Sequence, residues 1–395
     1  MSQAVEVPKQ SIYTLQFALL CLSGFLFFSS FNLIIPELPN YLTSLGGEDY
    51  KGLIIALFTL TAGLSRPFSG KLADRVGRVP VMIVGALVSG IAALMYPMIS
   101  SVIGFFLLRF FHGFSTGFKP TGTSAYVADI IPFDRRGEAM GILGFFSSMG
   151  MAVGPAVGAW LAASFSLNVM FYTSSVFAIA SVAILIGMKE TLPNRESLRA
   201  DHFMIKPSDV YEPRVFPAAV FMLLCLYTFG AVLTVIPDFS EHLNIQNKGL
   251  FFTTFTLSSL LVRFLAGKAS DIYGRVPVLK VAALLLVVAM MIVGYSSSQL
   301  ELLVGAFIFG LGVGAGSPTA FAWTIDLSDE QHRGRGIATM YIALEIGIGV
   351  GALGSGLLYQ NSVDNMPLVF GASAFLSLLA FVYLQFLLPR KTQVA

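Results

Sequence analysis

The sequence predicts an all-α integral membrane protein of twelve transmembrane helices, arranged as two six-helix bundles. Three observations predict it: an apolar surplus, a series of long uncharged segments and an internal repeat. Of 395 residues, 55% are hydrophobic and 12% charged, against about 25% charged in a soluble globular protein. Mean hydropathy is +0.78. A chain this long with so little charge cannot cover itself in water. The 38 Gly and 35 Phe fit the same picture, since small residues let membrane helices approach closely.

A bilayer core of about 30 Å needs about 20 apolar residues in a helix. Segments of that kind lie near 12–35, 50–70, 79–99, 102–127, 136–163, 168–187, 215–237, 249–268, 276–295, 300–325, 335–358 and 367–388. They are continuously apolar, not alternating, which excludes a membrane β-barrel. With the N-terminus inside, 18 of the 24 Lys and Arg fall on the cytoplasmic side and four within spans. Only Lys51 and Lys248 fall outside. Positive charge collects inside, so both termini are expected in the cytoplasm, and the cell (inner or plasma) membrane is the expected location.

The repeat is direct. Arg66–Val81 reads RPFSGKLADRVGRVPV and Arg263–Val278 reads RFLAGKASDIYGRVPV, identical at nine of sixteen positions with an offset of 197. The same offset relates Asp129 to Asp326, Gly150 to Gly347 and Gly154 to Gly351. With a four-residue slip, Ile35-Pro36-Glu37 matches Ile236-Pro237-Asp238. Each repeat holds an even number of spans, so the halves share one topology and an axis along the membrane normal is expected to relate them. The expected division is 1–187, a linker loop 188–214, and 215–395. The linker carries ten charged residues with Pro193, Pro207 and Pro213.

Several classes are excluded. Cys21 and Cys225, the two cysteines, lie in apolar runs and offer neither a disulfide framework nor a metal site. A net charge of +2 suggests no nucleic-acid partner. The polar start leads into a run long enough to span, so no cleavable signal peptide is expected. No Walker-type motif, paired carboxylates or nucleophile–His–acid set stands out. Neither an enzyme nor a cofactor is expected.

Charged groups inside spans are costly and mark function. The fourth span holds Arg109, His112, Thr116, Lys119 and Thr123, all within an arc of about 80° at about 100° per residue. One stripe gathers its polar groups, and the expectation is a basic wall on a central cavity. It can bind an anionic substrate or balance a buried acid. Glu345 is the one carboxylate in mid-span, at a depth like that of Lys119. The two are expected to pair or compete if they share the cavity, with Glu345 as the main proton-coupling residue. Asp238 and Glu37, a matched pair at the outer ends of spans seven and one, are the further acid candidates. Arg66 and Arg263 are also matched, and their side chains are expected to reach back to the cytoplasm.

Twelve spans, the six-plus-six repeat and GKLADRVGR after the second span resemble the major facilitator superfamily. The resemblance covers essentially the whole chain. Its loop signature corresponds to Gly70, Asp74, Arg75, Gly77 and Arg78, with a second copy at Gly267, Asp271, Gly274 and Arg275. The resemblance implies a gate at this level, where Asp129, Asp326 and Arg136 also lie: carboxylate–guanidinium pairs that latch one state and part as the halves rock. Arg109, Gly113 and Gly117 resemble the Arg-Gly motif of the drug:proton antiporter branch. Gly150, Gly154, Pro155 and Gly158 resemble its fifth-span motif, with Ala159 in place of a final Gly. These glycines, with Gly144 and with Gly347, Gly349, Gly351, Gly354 and Gly356 of span eleven, are expected to pack across the halves, and Pro155 to bend the span as a seal against proton leak.

The expected function is proton-coupled efflux of a small, amphiphilic or drug-like molecule by alternating access, with protons as coupling ion and the chain a monomer in the bilayer. The alternatives are a proton-coupled importer of an organic anion or metabolite, and a lipid or lysolipid translocator.

Overall fold

The computed structural model describes residues 13–131, 136–199, 202, 204, 211–328 and 333–387, with backbone alone at 136–138, 264, 333, 334 and 387. Among the described residues there is no strand. Within hydrocarbon every backbone group must be satisfied inside the segment, and a helix does this.

Helix α1 (Leu15–Ile34) runs through a 3₁₀ turn at Pro36 into α2 (Leu38–Ser44). Then come α3 (Lys51–Arg75), α4 (Arg78–Met95), α5 (Val102–Ile130), α6 (Arg136–Ser164) and α7 (Leu167–Ile186). After the linker follow α8 (Phe216–His242), α9 (Leu250–Tyr273), α10 (Arg275–Gly294), α11 (Gln299–Leu327), α12 (Arg333–Tyr359) and α13 (Met366–Val382). Starts are marked by capping serines: Ser101, Ser166 and Ser298 accept the N–H groups of Gly104, Val169 and Glu301. The α3–α4 and α9–α10 corners turn on Gly77 (φ 141°) and Gly274 (φ 87°), where a side chain would be strained.

Among the described residues ten helices are long and apolar enough to cross a membrane, and eleven when α9, bent by 44° near Phe264, is counted. The predicted span outside that count is α5, whose hydropathy is lowered by Arg109, His112 and Lys119.

Packing follows the repeat. In the first half α1 lies on α6 and α7, and α5 lies on α3 and α4. In the second, α8 lies on α12, and α11 lies on α9 and α10. Two seams join these groups, α3 with α12 and α6 with α9. The 197-residue offset carries α3 to α9 and α6 to α12, so the two seams correspond. Buried aromatic side chains fill the second group, with Phe251 and Phe255 ringed around Phe309.

Candidate functional site

The centre of the α3–α12 seam holds an ion pair. Arg66 of α3 donates from Nε (3.2 Å) and Nη2 (2.7 Å) to Oε1 of Glu345 on α12. The guanidinium also lies 4.1 Å from the centroid of the Tyr341 ring, one turn earlier on α12. Both charged side chains are about nine-tenths buried. Two expectations are corrected here. Arg66 does not reach back to the loop; it turns into the seam, because a carboxylate across it is a better partner than distant water. Glu345 is bonded to Arg66, not to Lys119.

The polar stripe of α5 is buried, at 2% exposure for Arg109, 0% for His112 and 1% for Lys119. It is not a solvent-lined wall, because neighbours of its own half cover it. Arg109 donates to the Ile54 carbonyl of α3 (2.9 Å) and to the Tyr96 hydroxyl (3.2 Å), with its guanidinium 4.6 Å from the Phe58 ring centroid. His112 bonds Ser89 (3.2 Å) and Tyr96 (3.4 Å). Ser89 continues to Ser30, and Ser30 to Ser174. Lys119 passes close to Gly85 of α4 and sets its ammonium 5.3 Å from the Phe27 ring centroid on α1. Thr116 and Thr123 bond backbone carbonyls one turn back on α5.

At the end bearing the α3–α4 corner, the motif residues pair within their own half. Arg78 bridges Asp129 (3.0 Å) and Asp74 (3.3 Å). Thr191 also bonds Asp129 (2.6 Å), and Glu190 accepts the N–H groups of Arg78 and Val79. The second copy is alike: Arg275 bridges Asp326 (2.8 Å) and Asp271. Among the described residues no such pair crosses between the halves; the Arg136 side chain lies outside them. Asp74 and Asp271 are mostly exposed. Arg75 binds the linker instead, donating to Glu196 (2.6 Å). That bond and one from His202 hold the exposed Glu196 carboxyl below its ordinary range. A Cβ on Gly70, Gly141 or Gly267 would meet nothing within 4 Å, so the seams are open here.

The opposite end is closed by charges that do cross. Lys51 at the start of α3 bonds Asp238 of α8. Lys248, just before α9, lies 3.9 Å from Glu37 and 2.7 Å from Glu241. Asn40 donates to Glu241 (3.0 Å) and Asn361 to Asp49 (3.3 Å). A Cβ on Gly52 would lie 2.5 Å from the Ala352 carbonyl, and one on Gly249 would lie 2.4 Å from Pro155.

The fifth-span motif is corrected in part. Gly150, Gly154 and Gly158 lie on α1 of the same half, where a Cβ would meet the Phe25, Ser29 and Leu33 carbonyls. Gly347, Gly351 and Gly354 likewise lie on α8 of their own half, whereas Gly144, Gly349 and Gly356 do face the other half, as do Gly52 and Gly249. Helix α6 runs unbroken through Pro155, which backs onto Gly249.

Arg66, Arg263, Tyr341, Lys51, Lys248 and Tyr96 were not singled out as site residues from the sequence. One signal was available. Lys51 and Lys248 are the two cations expected outside, they stand 197 apart, and each faces an acid of the matched pair Glu37 and Asp238.

Long apolar helices packed in two corresponding seams around a buried ion pair are the frame of a membrane transporter. A family model of the Major Facilitator Superfamily matches residues 20–249 and 215–394, and the chain belongs to that family. It is 28% identical over 234 residues to a multidrug resistance protein of Bacillus subtilis, covering 57% of this chain and 58% of that one. It is 27% identical over 308 residues to the multi-drug resistance efflux pump PmrA of Streptococcus pneumoniae, covering 73% and 75%. A staphylopine export protein of Staphylococcus aureus is 26% identical over 270 residues, covering 65% and 66%. Among solved structures, a human organic anion transporter superposes with TM-score 0.72 at 20% identity, over 93% of this chain and 98% of that one. A D-xylose–proton symporter superposes with TM-score 0.77 at 15% identity, over 96% and 98%.

Proposed function

We propose that the chain exports a small amphiphilic or drug-like molecule in exchange for protons, by alternating access between halves 1–187 and 215–395 joined by the loop 188–214. In this reading twelve helices span a cell membrane, α5 among them, held there by its buried partners despite its charges. The halves are related by a pseudo-two-fold axis, the termini and the α3–α4 corner face the cytoplasm, and the chain acts as a monomer. The efflux pumps among the relatives support the direction.

The observation that carries the coupling is the buried Arg66–Glu345 pair joining α3 to α12. A proton on Glu345 removes the charge that holds Arg66. The bond across the seam weakens, and the seam is free to part. Losing the proton restores it, so protonation and rocking are tied at one atom pair. Asp238 and Glu37, each beside a lysine from the other half, are a second place where a proton loosens the closed end. Asp74, Arg78 and Asp129, with Asp271, Arg275 and Asp326, stiffen the corners about which each half turns.

The test is substrate-driven proton flux in proteoliposomes under a pH gradient, wild type against Glu345→Gln, with a panel of lipophilic cations, anions and sugars. We expect flux with a compound of the panel in the wild type and loss of coupling in the variant. Substrate movement with no proton flux, or flux untouched by the substitution, would overturn the assignment of Glu345.

A further inference from the structure

Arg66 and Arg263 hold the same place in the two repeats, and their surroundings differ. Arg66 has a ring beside it, Tyr341 at 4.1 Å, and a carboxylate on it, Glu345 at 2.7 Å. The offset of 197 carries Tyr341 to Gly144 and Glu345 to Ser148. No gap intervenes, since Gly347 falls on Gly150 and Gly351 on Gly154. The correspondence holds in space. A Cβ built on Gly144 would lie 3.6 Å from Nη1 of Arg263, with no other heavy atom within 4 Å. Arg263 of α9 therefore lies against Gly144 of α6 as Arg66 lies against Tyr341 of α12. At the positions that correspond to the ring and the acid, the sequence has a glycine and a serine.

Among the described residues nothing replaces either partner. Nε of Arg263 is buried with no hydrogen-bond partner, and among the described residues no carboxylate stands within ion-pair distance of its guanidinium. The side chain as a whole is only partly buried, but a cation within a span and without a counter-charge is costly, and a bound anion would supply that charge. The space beside it is reachable. Gly141, one turn from Gly144 on α6, and Gly267, one turn from Arg263 on α9, meet nothing within 4 Å. Both glycines lie on the corner side of Gly144 and Arg263 along their helices.

We infer that Arg263, Gly144 and Ser148 form a substrate subsite for an anionic group carried next to a flat apolar one, such as an aromatic carboxylate. The carboxylate takes the place that Glu345 has on Arg66 and makes charge-assisted bonds to the guanidinium. The apolar plane takes the place of the Tyr341 ring, against the Gly144 backbone. The Ser148 hydroxyl can donate to the same carboxylate. This deepens the proposed exporter and rests on it for the transport step; binding itself does not require turnover.

The test is equilibrium binding to the purified full-length protein in lipid nanodiscs. The probe is 1-naphthoate, and its cationic analogue 1-naphthylmethylammonium is the control. Wild type is compared with Arg263→Ala, Arg263→Lys and Ser148→Glu. Ser148→Glu is decisive, because it installs the carboxylate missing from this seam, keeps the arginine and supplies a partner, so the fold should hold. We expect naphthoate to bind the wild type and to weaken at least about ten-fold in Arg263→Ala and Ser148→Glu, as for loss of a charge-assisted pair. Arg263→Lys, which keeps the charge but loses the fork, should fall between. The cationic analogue should not weaken in any variant. Naphthoate binding that is absent in the wild type, equal in all four proteins, or matched by the cation would overturn the subsite. Proton-driven efflux of ethidium, measured in parallel, separates the two readings. Ethidium flux with unchanged naphthoate binding removes the subsite and leaves the exporter. The expected naphthoate pattern with no proton-driven flux of any probe removes the coupling and leaves the subsite.

Discussion

The two ends of the seams use the same residue types in opposite ways. At the closed end the charges are shared between the halves: Lys51 of the first binds Asp238 of the second, and Lys248 of the second faces Glu37 of the first. At the corner end the charges stay home, with Arg78 on Asp74 and Asp129, and Arg275 on Asp271 and Asp326. The glycines divide likewise. Gly52 and Gly249 press on backbone across the seam, while Gly70 and Gly267 face open space. Pairs that cross hold an end shut; pairs that stay within a half make it stiff and leave the seam free. Function in this chain is written less in which charges are present than in whether their bonds cross the seam.

The largest effect should come from breaking a crossing pair. Lys51→Ala leaves Asp238 buried without its cation, and Asp238 Oδ1 already lacks a hydrogen-bond partner. Removing one member of a buried pair costs about 3–5 kcal/mol. We expect a lower unfolding midpoint, and a longer distance between spin labels at Ser44 and Asn244. The charge-swapped pair, Lys51→Asp with Asp238→Lys, should recover most of the loss. Lys248→Ala should do less, about 1 kcal/mol or below, because that cation is spread over two acids and Glu241 is half exposed. Equal effects of the two lysines would show that burial does not rank the pairs.

The next effect is steric. Gly52→Leu puts a side chain where even a Cβ would lie 2.5 Å from the Ala352 carbonyl. Overpacking of this kind costs about 1–3 kcal/mol. It should wedge the closed end apart with no change of charge, so the same labels should separate while the Lys51→Ala and Gly52→Leu effects differ in salt dependence. An unchanged distance would mean that the ion pairs alone hold this end.

Much of this architecture was legible in the sequence, for definable reasons. Apolar length reports helices directly, and the duplicated RPFSGKLADRVGRVPV stretch reports the halves and their corners. The repeat puts Asp74, Arg78, Asp129 and their copies near one level, but position along a helix does not say which partner lies across from it. That is why Arg66 was read as turning to the loop when its partner is Glu345 of another helix, 279 residues away. Rotation about α5 put Arg109, His112 and Lys119 on one stripe, and it is one stripe. Whether a stripe faces a cavity or a neighbour depends on what packs there, and Ile54, Ser89 and Tyr96 come from α3, α4 and the turn after α4. The fifth-span glycines misled in the same way: their smooth face is real, but α1 fills it.

The smallest effect in this conformation is the most telling about motion. Gly70 lies inside α3 with nothing within 4 Å of where a Cβ would be. Gly70→Ala should therefore leave the unfolding midpoint unchanged or raise it slightly, since Ala is favoured over Gly within a helix by about 0.5–1 kcal/mol. Gly70→Leu should be tolerated in the same measurement, for the same reason. If the corner end closes during turnover, however, the leucine must meet the other half in that second state. Transport by Gly70→Leu should then fall while its stability holds. A stable protein that transports normally would show that the gap at Gly70 never closes. A destabilised one would show that the gap is already filled, and the contrast between the two ends would fail.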